Sequence, residues 1–170
     1  MTGSALIRAG AVAAILGGAL RAAASFAPTL VESDLRRESL YVVIDACLAG
    51  GLTAFYGQRS ERLGRSGTAG FMLALIGIAI VRANRLISTA DLYPVGALAI
   101  ACGLIVLSVS AWRERTIHGF VPAMFFFSML LGIVGTLVHS ASALFVCSGV
   151  LFGIAFAGLG IETWTSASKS

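Results

Sequence analysis

The sequence predicts an all-α fold: a polytopic integral membrane protein of six transmembrane helices, arranged as three consecutive helical hairpins. Three observations predict it. Hydrophobic residues make up 58% of the 170-residue chain and charged ones only 12%, more apolar surface than a soluble domain of this length can hide. Six apolar runs each approach the roughly 20 residues that cross about 30 Å of hydrocarbon. Most arginines fall in the short connections between those runs, which is the pattern of membrane topology. The net charge of +4 therefore implies no nucleic-acid partner. Eleven Arg against one Lys, with abundant Ala and Gly, reads as the codon usage of a GC-rich bacterial genome.

The runs are residues 5–26, 40–56, 68–87, 94–112, 120–139 and 143–160. Lipid offers the backbone no hydrogen bonds, so each is expected to be a helix. Residues 1–165 form one bundle, and the Ser-rich tail 166–170 is expected to be disordered. In the first run, Arg8, the apolar stretch Ala9 to Leu20 and the small residues Ala22, Ala24, Ser25 and Ala27 imitate a cleavable signal peptide. Arg21 interrupts the cleavage region, so retention is expected. Gly10, Ala14, Gly18 and Ala22 recur at fourfold spacing, as do Gly149 and Gly153 in the last run, with Ala46 and Gly50 a shorter version in the second. Such stripes let helices approach closely.

The connection from Pro28 to Ser39 is the longest. Thr29 with Glu32 three residues on has the spacing of a capping box, so residues 30–38 are read either as a short surface helix or as a solvated linker. Pro94 falls in the first turn of its run, where a missing N–H costs nothing, and Pro122 is similarly harmless. Phe125, Phe126 and Phe127 point three ways from the fifth helix, so at least one faces lipid or a partner. An interval of 52 residues joins Leu40, Leu92 and Leu144; Tyr41, Tyr93 and Phe145; Gly51 and Gly103; Gly67 and Gly119; and Trp112 and Trp164. This internal repeat supports the count of six. Arg8, Arg59, Arg62, Arg65, Arg113, Arg115 and Lys169 fall on one side, against Arg21, Arg36, Arg37, Arg82 and Arg85 on the other. The bias places both termini in the cytoplasm and the protein in the cell (inner) membrane.

Asp45 is the acid set among apolar neighbours, about five residues or 7–8 Å inside its helix. An ionisable side chain there costs about 2.5 kcal/mol or more unless it is paired or wet. Arg21, Arg82 and His139 reach the same layer from three other helices, and Asn84 and Arg85 lie close along the third. The expected answer is an Arg21–Asp45 or Arg82–Asp45 pair, guanidinium meeting carboxylate through two parallel hydrogen bonds. Two arginines to one aspartate leave positive charge over, so Arg21, Asp45, Arg82, Arg85 and His139 form a candidate layer for an anion, a lipid phosphate or a carboxylated metabolite. Snorkelling arginines and a purely structural ion pair explain the same residues.

Other chemistry finds no support. Cys47, Cys102 and Cys147 lie in separate apolar runs without a CxxC, against a disulfide framework or a metal site. His118 and His139 are at opposite ends, Lys169 is the sole lysine, and no HExxH, GxSxG or P-loop occurs. Neither a cofactor nor an enzymatic activity is expected. The favoured expectation is a non-enzymatic accessory or assembly subunit, or a scaffold, in contact with the lipid bilayer and with other membrane subunits or its own copies. The alternative is a transporter or binding protein for a small anionic or lipidic ligand at the Arg/Asp layer, with the repeat supplying pseudosymmetry.

Overall fold

The computed structural model describes residues 2–26, 34–84, 91–138 and 142–168. Its helices are α1 (Thr2–Ala24), α2 (Asp34–Ala83), α3 (Tyr93–Arg113), α4 (Phe120–Leu137) and α5 (Ser142–Ala167). All five are long and apolar enough to cross a membrane.

Six expected runs become five helices because α2 contains two of them. The expected connection around residues 57–67 is helical. Gln58, Arg59, Glu61, Arg62 and Leu63 are straight-chain or Leu residues that lose little rotamer freedom in a helix. The regular backbone breaks only at Gly64, with φ 59° and ψ −165°, a conformation essentially restricted to glycine. Tyr56 and Thr68 would stand about 18 Å apart in a straight helix, yet their hydroxyls lie 2.9 Å apart. The Tyr56 and Phe71 rings stack with centroids separated by 4.2 Å. Helix α2 is therefore bent sharply at Gly64, and its arms, residues 34–63 and 65–83, lie side by side.

Close approach through small residues joins the elements. Gly10, Ala14 and Gly17 of α1 meet Ala54, Gly51 and Cys47 of the first arm, an antiparallel register. Gly18 and Ala22 of α1 meet Gly153 of α5, and Ala11 and Ile15 meet Gly160. Gly70 and Gly77 of the second arm meet Gly103 and Gly96 of α3, a contact the sequence reading did not single out. Ala46 and Gly50 do not form the expected stripe, since a Cβ on Gly50 would meet open space. Between α4 and α5, Ser128 donates to the Ser148 carbonyl at 2.9 Å and Ser148 donates to the Ser128 carbonyl at 2.8 Å. Each hydroxyl thus finds a partner without water.

The interior is filled by Ile44, Leu48, Leu52, Phe55, Leu104, Leu107, Phe125, Phe156 and Leu159. Phe125 is buried, whereas Phe126 and Phe127 are 46% and 53% exposed, as three successive helical positions require. Helix α5 runs on to Ala167, through the first residues of the segment expected to be disordered. Residues 34–38 are the first turns of α2; the rest of the segment read as surface helix or linker, residues 30–33, lies outside the described residues.

A Cβ at Gly103 would stand 2.5 Å from the Ala74 amide nitrogen and 2.7 Å from the Gly70 carbonyl oxygen. Gly103→Val is expected to destabilise the protein by about 1–3 kcal/mol through overpacking, whereas Gly50→Ala should be neutral or stabilise by up to about 1 kcal/mol. Thermal unfolding in mild detergent checks both, and equal shifts for the two variants would contradict the close contact.

Candidate functional site

The ionisable residues gather at two ends of the bundle. At the end away from Gly64, the first arm of α2 carries Glu38 and Asp45, seven residues or about two turns apart and so on one face. The second arm ends with Arg82 in its last turn, where the helix dipole favours a cation. Arg82 Nε donates to Asp45 Oδ2, and its Nη1 donates to Glu38 Oε1 at 3.1 Å. One guanidinium therefore bridges two carboxylates. Side-chain exposures of 28% for Arg82, 19% for Asp45 and 34% for Glu38 put the group at the edge of the bundle, not in a sealed core.

The structure places the expected residues unequally. Asp45 and Arg82 are together, as the cost of an unpaired intramembrane acid requires. Arg21 makes no hydrogen bond to Asp45. Its guanidinium instead lies over α5, where a Cβ on Gly149 would stand 3.3 Å from Arg21 Nη1, although its charge still attracts the carboxylate. Asn84 does not join the layer, because its amide bonds Asp91 Oδ1 at 3.3 Å and its oxygen accepts from the Leu92 backbone. Arg85 and His139 lie outside the described residues. Glu38 changes the charge balance. With it, the Arg82 guanidinium faces two carboxylates among the described residues, where one was expected. Glu38 falls in the expected connection before the run from Leu40, yet its seven-residue spacing to Asp45 sets both on one helix face.

At the Gly64 end lies a cluster that the sequence reading missed. Arg59, which falls in an expected connection between runs, is only 5% exposed. Its Nη2 donates to the Glu162 carbonyl and to Ser166 Oγ, both at 3.0 Å. Its guanidinium carbon lies 4.5 Å from the Phe55 ring centroid, a cation–π contact. Gln58 reaches the Thr163 carbonyl at 3.4 Å. Glu162 accepts from the His118 backbone N–H at 3.3 Å and pairs with His118 Nδ1. Leu48, Leu52, Phe55, Arg59 and Leu63 form one buried stripe at helical spacing. Once the helix is continued beyond Tyr56, Arg59 falls on that stripe, and this was the available sign.

Both clusters tie elements together. The cleft lined by Leu63, Ser66, Ser110, Arg113 and Glu114 is at the Gly64 end and does not reach Asp45. Cys47, Cys102 and Cys147 are free thiols.

Arg82→Gln is expected to cost about 1.5–3 kcal/mol by stranding charged acceptors, and Asp45→Asn to cost a similar amount. The double variant should lose clearly less than the sum, because each partner's penalty disappears with the other. Thermal unfolding of the four proteins checks this; strict additivity would mean that the contact contributes nothing.

No protein-family model, curated protein or solved structure matches this chain, so its own residues carry the functional reading.

Proposed function

We propose that this chain is a non-enzymatic integral membrane protein, an accessory or assembly subunit or scaffold, which crosses the cell membrane six times with both termini in the cytoplasm. The reading rests on one observation above all: Glu38, Asp45, Arg59 and Arg82 are each engaged by groups of a neighbouring helix or arm. Arg82 holds Asp45 and Glu38, and Arg59 holds the end of α5. Groups so engaged tie helices and are not free to act on a substrate. The large apolar side chains left open on α4, including Phe126, Phe127, Leu130, Ile133 and Leu137, fit contact with lipid and with helices of other subunits or of a second copy.

Six crossings are supported by the bend at Gly64 and by the antiparallel register of the arms, in which Asp45 meets Arg82 while Tyr56 meets Thr68. Three hairpins in series are supported by the packing of α1 on the first arm, the second arm on α3, and α4 on α5. The transport reading draws on the polar layer and the 52-residue interval. The engagement of both Asp45 and Glu38 by Arg82 favours the scaffold.

Topology is tested by single cysteines in a cysteine-free background, labelled from either side with an impermeant maleimide. Glu61→Cys and Ser168→Cys are expected to label from the cytoplasmic face and Asp91→Cys from the opposite face; Glu61 and Ser168 on different sides would remove the six-crossing arrangement. Function is tested with a photo-crosslinker at Phe127, in native membranes, followed by mass spectrometry of the adducts. Adducts to a defined membrane subunit or to a second copy are expected. Lipid adducts alone, together with organic-anion flux in proteoliposomes that Asp45→Asn abolishes, would instead establish the carrier.

A further inference from the structure

Where the second arm of α2 begins and α3 ends, a cleft of about 120 Å³ is lined by Leu63, Ser66, Ser110, Arg113 and Glu114. That volume is roughly ten times the ~10–15 Å³ that one water requires. Leu63 is buried and forms an apolar floor, Ser110 is nearly buried, and Ser66, Arg113 and Glu114 are exposed. Ser110 Oγ lies 2.8 Å from the Val106 carbonyl and 3.0 Å from Ser66 Oγ. With one hydroxyl proton, it satisfies one acceptor at a time, and the Ser66 hydroxyl keeps a proton to offer an incoming acceptor.

The charges of the cleft are of both signs and unspent. Among the described residues, neither Arg113 nor Glu114 has an ion-pair partner. Helix α3 finishes here and presents the negative end of its dipole. The end of α3 is fixed by a left-handed Arg115, φ 54°, whose N–H bonds the Trp112 carbonyl at 2.9 Å while the Thr116 N–H bonds that of Ala111 at 3.0 Å, a Schellman closure. Trp112, 52% exposed in the last turn of α3, is of the residue type that marks the headgroup level of a bilayer.

We propose that this cleft binds a phosphoethanolamine group, supplied by a phospholipid of the surrounding leaflet. The phosphate is taken by the Arg113 guanidinium and the Ser66 hydroxyl, and the ammonium by the Glu114 carboxylate at the negative end of α3. The site lies at the opposite end of the bundle from Asp45 and rests only on the chain being embedded in a membrane. A phosphatidylglycerol headgroup offers nothing to Glu114, and a choline headgroup has no N–H to donate, so the proposal carries a selectivity.

The test is native mass spectrometry of the full chain from mild detergent, titrated with phosphatidylethanolamine, phosphatidylglycerol, phosphatidylcholine or soluble phosphoethanolamine. Phosphatidylethanolamine adducts are expected to exceed the other two lipids about fivefold. Arg113→Ala should lower adducts of all three lipids several-fold, and Glu114→Gln should bring phosphatidylethanolamine down to the phosphatidylglycerol level. Arg62→Ala, which removes an exposed cation outside the cleft, should change neither amount nor order. Equal retention of the three lipids by the parent, or unchanged adducts in Arg113→Ala and Glu114→Gln, overturns the site. Loss in Arg62→Ala equal to that in Arg113→Ala overturns it in favour of general basicity, and displacement of the lipid by equimolar soluble phosphoethanolamine overturns the lipid as its source.

Discussion

A carboxylate among apolar neighbours persists in a bundle of this kind only if a cation meets it, and here one guanidinium meets two. Glu38 and Asp45 project from one face of the first arm of α2, and Arg82 reaches both from the end of the second arm. Advancing one arm by a single residue would shift it about 1.5 Å and turn it by about 100°, separating the fork from its acceptors. The contact therefore sets both the depth and the rotation of the arms. Apolar packing alone specifies these weakly in a membrane, because lipid tails solvate a leucine as well as another helix does. The Tyr56–Thr68 hydrogen bond and the turn at Gly64 fix the other end.

Around that pair of arms the bundle closes by backbone proximity. Glycines at positions 18, 70, 77, 103, 153 and 160 sit where a methyl group would collide with the neighbouring helix, so dispersion and weak C–H···O contacts act at short range. Polar residues then finish what proximity begins. Ser128 and Ser148 exchange hydrogen bonds across α4 and α5. Arg59 reaches the Glu162 carbonyl and Ser166 near the end of α5, where cations are favoured by the dipole. Large aliphatic and aromatic side chains, Phe126, Phe127 and Leu137 among them, remain open and suit a surface in contact with acyl chains.

The 52-residue interval reappears in the contacts. Ser66 bonds Ser110, and His118 pairs with Glu162; the second pair lies 52 residues beyond the first at both positions. The corresponding positions in the first third are Ala14 and Gln58, and Ala14 packs on Gly51 while Gln58 turns to Thr163 and Arg59. Positions 14 and 58 thus do not pair as the two later sets of positions do.

Composition and periodicity determined by themselves that the chain is helical and suited to a membrane, because in hydrocarbon no other open backbone satisfies its own hydrogen bonds. They also determined that Asp45 needs a cation and that Arg82 stands at the right depth, since helical rise converts sequence position directly into depth. Only the tertiary structure decided which arginine answers, that Glu38 shares it, and that Arg59 is interior. Those outcomes depend on rotation about each helix axis and on how far a helix runs past its apolar stretch, and local sequence leaves both open until neighbouring elements pack against it.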